Sequence, residues 1–247
     1  MSVLPAGPYS SPVEPLCRPP LVIATRGASA KAPAGSMEAF RLALRLGATA
    51  LEADLWRTAD GRAVLGGDRR SRSGLRRRTV ADVPRSALAD VPTPADLHTE
   101  LGDSFELLLA VRDPEAVDDA VASARAAGDG SAGRLWLAHA DLDVLTEWRE
   151  RFGDVRLVNA TRLRDLRHGP ERRAAQLAAA SVDAVYLHHT DWTGGLTTLF
   201  HRFERLAFAW DAQHERIIAN LVRMGVDGIS GDHVDRLVDG VARPASG

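Results

Sequence analysis

Glu52 and Asp54 stand two residues apart in the run "ATALEADL", residues 48–55. On a strand that spacing puts both carboxylates on one face. Two carboxylates aimed into one space repel each other unless a positive group lies between them. A hard divalent cation such as Mg²⁺ or Ca²⁺ meets that need with oxygen ligands. An arginine meets it equally well, and Arg26 and Arg112 are the two at hand. Spacing alone leaves these answers level.

Histidines offer acid–base chemistry near neutral pH. His139, His188 and His189 fall near the ends of apolar runs. Adjacent strand residues face opposite ways, so at most one of His188 and His189 is expected to reach a shared mouth. Hydrogen-bonded structural histidines are the simpler reading of all three. Trp192 and Trp210 fit packing at a rim, and Trp210 also offers an aromatic face to the apolar part of a ligand. Residues 69–78, "RRSRSGLRRR", hold six arginines: Arg69, Arg70, Arg72, Arg76, Arg77 and Arg78. Such a run is ordinarily a solvated loop. Its functional reading is contact with an anionic surface, because guanidinium forks match phosphate.

The elements that must position these groups alternate. Eight short apolar runs cover 21–25, 48–55, 106–112, 134–139, 155–160, 183–189, 206–211 and 225–230. Most are rich in Val, Leu and aromatics, as strands covered on both faces are. Amphipathic segments lie between them. Residues 36–47 open on Ser36 as N-cap and stop at Gly47, and residues 113–128 open on Asp113-Pro114 and stop at Gly128. Segments 141–153, 169–181, 193–204 and 212–225 follow the same logic. This alternation predicts an α/β fold, a (β/α)8 barrel. An open doubly wound sheet is disfavoured because no Gly-rich dinucleotide loop follows the first strand. The connection 57–92 is long and holds "DGRAVLGGD", so a small insertion with a short strand is expected after the second strand. In such a barrel, function collects at the C-terminal strand ends.

The chain of 247 residues suits this architecture, and 45% hydrophobic residues suit a globular core. A net charge of -2 gives no general attraction to nucleic acid. Cys17 is the single cysteine, which excludes an internal disulfide. No apolar stretch approaches the roughly 20 residues of a membrane span, and the Pro-rich start lacks the order of a signal peptide. The expectation is a soluble, cytoplasmic protein with an irregular arm over 1–20 and a single barrel domain over 21–243.

Two segments, "LVIATRGASAKAPAGSMEAFRLALRLGATALEADLWRTADGRAVLGGD" and "LAFAWDAQHERIIANLVRMGVDGISGDHVDRL", resemble the glycerophosphodiester phosphodiesterase family. The resemblance extends over nearly all of the chain after residue 20. It implies a (β/α)8 barrel with a small insertion and metal-assisted hydrolysis of glycerophosphodiesters to glycerol 3-phosphate and an alcohol. It implies one histidine just before Arg-Gly, a second in a His-Asp pair, a Glu-x-Asp metal pair and a third acidic ligand. Here Arg26-Gly27, Glu52, Asp54 and Asp68 match. Thr25 and Gly67 take the two histidine positions, Ala110 takes the third ligand position, and Arg112 replaces a lysine. Neither threonine nor glycine titrates near neutral pH, and each lost proton donor or acceptor removes roughly 10²–10⁴-fold in rate.

The expectation is therefore a pseudoenzyme of this family, binding Mg²⁺ or Ca²⁺ weakly or not at all. It would retain a small phosphate-bearing ligand through Arg26, Arg112 and Trp210. The alternative is an active metal-dependent phosphodiesterase working through relocated groups such as His139, His189 or Asp68. A third reading is an interaction protein that uses the arginine run.

Overall fold

The computed structural model describes residues 13–66, 71–73 and 76–243. Eight parallel strands close on themselves: β1 (Leu21–Thr25), β2 (Ala50–Arg57), β6 (Glu106–Val111), β7 (Leu135–His139), β8 (Arg156–Ala160), β9 (Ala184–His188), β10 (Leu206–Trp210) and β11 (Gly228–Gly231). β1 pairs with both β2 and β11, which closes the barrel. The insertion adds β3 (Ala63–Gly66), antiparallel on the free end of β2, and a ribbon of β4 (Ser71–Ser73) and β5 (Arg76–Arg78). Eight helices surround the strands: α1 (Met37–Arg45), α2 (Pro94–Leu101), α3 (Val117–Ala127), α4 (Leu142–Arg151), α5 (Gly169–Ala179), α6 (Gly194–Arg202), α7 (Glu215–Arg223) and α8 (Val234–Ala242). The expected (β/α)8 barrel with an extra strand after β2 is what forms.

Local chemistry explains the helix boundaries. Ser36 Oγ accepts from Ala39 N and caps α1. Thr93 and Asp96 form a reciprocal capping box, with Pro94 at the first position of α2. α2 and α8 have no counterpart among the amphipathic segments expected from the sequence.

Strand parity divides the core in two. Ile23, Ala50, Leu108, Trp136, Val158, Tyr186 and Phe208 point inward and fill the barrel. The alternate residues, such as Leu51, Leu107, Leu137, Leu187 and Ala209, meet the helices. Phe208 dictates a glycine opposite it, since a Cβ on Gly228 would lie 2.8 Å from its ring. At the N-terminal end, Asp227 is fully buried and takes four hydrogen bonds. Leu16 N and Cys17 N donate to Oδ1 at 2.6 and 2.8 Å. Ala207 N donates to Oδ2 at 2.7 Å, and His201 Nε2 lies 2.8 Å from the same oxygen. Among the described residues, no helix is long and apolar enough to cross a membrane.

Candidate functional site

The C-terminal strand ends surround a cavity of about 610 Å³. Parity decides what faces it. Thr25 continues the inward row of Ile23, Glu52 and Asp54 continue that of Ala50, and Ala110 continues that of Leu108. Just beyond β1, Arg26 and Gly27 both adopt positive φ, +53° and +76°. Gly27 is obligatory, because a Cβ there would lie 2.5 Å from the backbone of Ala39. This turn sets Arg26 on the cavity wall, where its guanidinium makes no hydrogen bond or ion pair among the described residues.

Glu52 and Asp54 each have protein partners. Thr25 Oγ1 and Tyr186 OH both donate to Glu52 Oε2 at 3.0 Å. The Tyr186 and Ser230 hydroxyls are hydrogen-bonded to each other. Burial pushes the Glu52 carboxyl above the usual carboxylate range, against the pull of these hydroxyls. Burial, then the neighbouring Glu52, holds the Tyr186 phenol well above its usual value. Arg112 turns inward, and its Nε lies 2.6 Å from Asp54 Oδ1. The arginine answer thus holds for Asp54. Ala110 offers no donor, and no third imidazole, thiolate or carboxylate among the described residues joins Glu52 and Asp54 in a metal-sized group.

Such a group does form across the barrel, on β9 four strands from β2 and on the neighbouring β10. His188, His189 and Asp211 bring ligand atoms within 4.8 Å of one another. His188 ends β9 with the inward parity of Tyr186. His189 starts a short 3-10 turn over His189–Asp191, so strand alternation no longer applies to it. The two rings lie 4.3 Å apart at 35°. Asp211 follows β10 with φ +65°, which turns its carboxylate back so that Oδ2 is 3.2 Å from His188 Nε2. Gln213 Nε2 donates to Asp211 Oδ1 and to Asp232 Oδ2, both at 3.0 Å.

The donor chemistry fits an ion. His188 Nδ1 lies 2.7 Å from the Thr190 hydroxyl. Thr190 N–H donates to the same Nδ1 at 3.2 Å, so a neutral ring carries its proton at Nε2, toward Asp211 Oδ2, and an ion bound at Nε2 takes that proton's place. Burial, then the adjacent His188, holds His189 below the usual imidazole range. Burial opposes ionisation of Asp211, but the Gln213 amide and the imidazoles outweigh it and keep that carboxyl below its usual range. Ligands at about 2.1 Å from one ion in a tetrahedral site lie about 3.4 Å apart, so atoms now up to 4.8 Å apart must close by about an ångström through side-chain adjustment.

This cluster corrects an expectation. The reading of the chain as a pseudoenzyme, inactive for want of histidines and a metal ligand, is overturned. Thr25 and Ala110 do replace expected groups, but two imidazoles and a carboxylate gather beside the mouth at the ends of β9 and β10, with Asp211 on the cavity wall. Strand alternation does not keep the rings of His188 and His189 apart, because the strand ends between them, although neither ring lines the cavity. A chain compared position by position with a pattern shows what is lost at those positions and not what arrives from other strands. The available signals were the His-His pair at a strand end and the Asp after Trp210. Tyr186 and Gln213 had no sequence signal.

The other candidates fall as follows. Trp210 packs edge-on to His188, with ring centroids 4.5 Å apart, and the Arg162 guanidinium lies 5.7 Å from its ring centre. Arg162 is itself tied to Asp191 at 2.6 Å. His139 has the outward parity of Leu137 and packs edge-on against Trp148, so it reaches only the rim. Trp192 is buried and donates from Nε1 to Phe208 O, a packing role. Gly67, Asp68, Arg69 and Arg70 lie outside the described residues, and Arg72, Arg76, Arg77 and Arg78 lie on the β4–β5 ribbon.

The model of the glycerophosphoryl diester phosphodiesterase family matches residues 26–236. No curated protein matches the sequence. Solved structures share the fold at low identity. A Silicibacter pomeroyi structure has a TM-score of 0.80 at 19% identity, over 91% of this chain and 94% of that one. A Thermotoga maritima glycerophosphodiester phosphodiesterase has a TM-score of 0.76 at 19% identity, over 89% and 97%. An Oleispira antarctica phosphodiesterase, in complex with the product sn-glycerol-3-phosphate, has a TM-score of 0.79 at 15% identity, over 91% and 97%.

Proposed function

Because this chain belongs to the glycerophosphoryl diester phosphodiesterase family, we propose that it is a metal-dependent phosphodiesterase that hydrolyses glycerophosphodiesters through relocated groups. The gathering of His188, His189 and Asp211 beside the mouth carries this reading. The product bound by the Oleispira antarctica relative supports a phosphate-bearing ligand. Residues 21–243 are read as one barrel domain, with 1–20 as an irregular arm; Leu16 N and Cys17 N donate to Asp227.

His188, His189 and Asp211 would hold a divalent ion, which supplies charge for a phosphoryl oxygen and a more acidic water. Arg26, whose guanidinium has no partner among the described residues, stands on the cavity wall and meets the phosphate by charge-assisted hydrogen bonds. Trp210 gives an apolar face to the ligand. In the reaction, water adds its oxygen to phosphorus while the P–O bond to the departing alcohol breaks. A proton passes to that departing oxygen, so one diester and one water yield one phosphomonoester and one alcohol.

The test is hydrolysis of sn-glycero-3-phosphodiesters with Mg²⁺, Ca²⁺, Mn²⁺ or Zn²⁺, beside His189→Ala and Asp211→Asn. The expected result is ion-dependent turnover that falls at least about 100-fold in each variant. Turnover kept in full by both variants, or none with any of the four ions, sinks the reading.

A further inference from the structure

Ala110, Ala138 and Ala160 end the inward rows of three consecutive strands, β6, β7 and β8. Barrel layers favour bulky side chains, and just below these alanines come Leu108, Trp136 and Val158. Three methyl groups in succession leave this side of the mouth hollow, and the cavity touches all three. On the two strands that flank this bay, β2 and β9, larger side chains, Glu52 and Tyr186, reach the cavity, and Trp210 follows on β10. Two residues beyond Ala110 and Ala160 on the same parity stand Arg112 and Arg162. Both are fixed by carboxylates at 2.6 Å, Asp54 and Asp191. Past Ala140 and Asp165 the cavity adjoins a second hollow of about 300 Å³, which has Arg167, Arg173 and Gln176 in its wall.

A phosphate with a three-carbon alcohol needs only part of this space, since pockets of about 300–1,000 Å³ take drug-sized ligands. The geometry points to the alanine bay as the seat of the diester's second alcohol, and we propose that this alcohol is a bulky polyhydroxylated ring, a sugar or cyclitol. The proposal rests on the phosphodiesterase reading of the mouth. Alanine methyls and the Trp210 face suit the C–H faces of such a ring. The guanidinium and carboxylate pairs at the rim offer donors and acceptors together, which is what hydroxyl groups require. A long acyl chain would instead desolvate the polar groups of the adjoining hollow without pairing them. An ethanolamine headgroup would leave the bay empty.

The experiment compares sn-glycero-3-phosphoinositol with sn-glycero-3-phosphoethanolamine, using the unaltered protein, Ala138→Leu and Ala160→Leu. Thermal melting checks that each variant folds, and Ala160 at the strand end is the variant less demanding of the core. The unaltered protein is expected to prefer the inositol diester in kcat/KM by about tenfold or more, and bay filling is expected to remove that preference while small-diester turnover stays within about twofold. Equal loss on both diesters, or a preference for the ethanolamine diester, overturns the bay assignment. Calorimetry with myo-inositol 1-phosphate and phosphoethanolamine separates this from failure of the enzyme reading. Tighter inositol phosphate binding that Ala138→Leu weakens about tenfold upholds the bay even without turnover. Equal binding of the two refutes it.

Discussion

Asp227 is where one substitution should cost this barrel most. Its buried carboxylate accepts from three backbone N–H groups, those of Leu16, Cys17 and Ala207, and contacts His201 Nε2. Asp227→Ala removes all four acceptor contacts. Leu16 is exposed, so the arm can peel away and let water satisfy the N–H groups of Leu16 and Cys17. Ala207 is fully buried and keeps an orphaned donor, which costs about 1–3 kcal/mol. Lost hydrogen bonds to a charged acceptor add about 1.5–3 kcal/mol each before rehydration. A net loss of about 3–5 kcal/mol is expected, a large share of the 5–15 kcal/mol that holds a typical domain together. Asp227→Asn separates charge from geometry. One amide orientation sets its NH₂ against Ala207 N–H, and the other sets it against Leu16 N–H and Cys17 N–H. Either way donor faces donor, so a loss of at least about 2 kcal/mol is expected. Urea unfolding with matched m-values measures both. An Asp227→Asn variant within about 0.5 kcal/mol of the parent would refute the four-contact reasoning.

Three further outcomes follow from the mouth. Glu52 is held above the usual carboxylate range by burial, so the folded state keeps its proton where the unfolded chain has lost it. Stability then falls as pH rises from the unfolded value of about 4.3 through the raised folded value, and stays lowered above it. Glu52→Gln should remove that slope, so its melting temperature should gain on the parent between pH 4 and neutrality; a pH-independent difference contradicts this. Metal titration should rank Mn²⁺ and Zn²⁺ above Mg²⁺ and Ca²⁺, because two imidazoles suit borderline ions; the reverse order assigns binding to the oxygens of Glu52 and Asp54. Arg26→Gln should weaken sn-glycerol 3-phosphate binding by about 1.5–3 kcal/mol without lowering the melting temperature, since its guanidinium has no described partner. Unchanged affinity by calorimetry removes Arg26 from the phosphate site.

The barrel was legible in the sequence because its signals are local. Apolar runs of strand length, caps such as Ser36 and stops such as Gly47 and Gly128 need no knowledge of distant residues. The inward placement of Glu52 and Asp54 was equally local, since strand alternation fixes it. Which positive group answers them was not, because Arg112 reaches Asp54 from a neighbouring strand 58 residues away. The same limit hid the histidine cluster. His188 and His189 diverge on paper under strand alternation, and they converge in space because β9 ends between them and a positive φ at Asp211 turns its carboxylate toward His188. The sequence by itself determined the scaffold and which expected groups are missing from it. The closing of eight strands into one ring decided which side chains share the mouth, because proximity across a barrel is set by strand register and chain direction at strand ends, not by spacing along the chain.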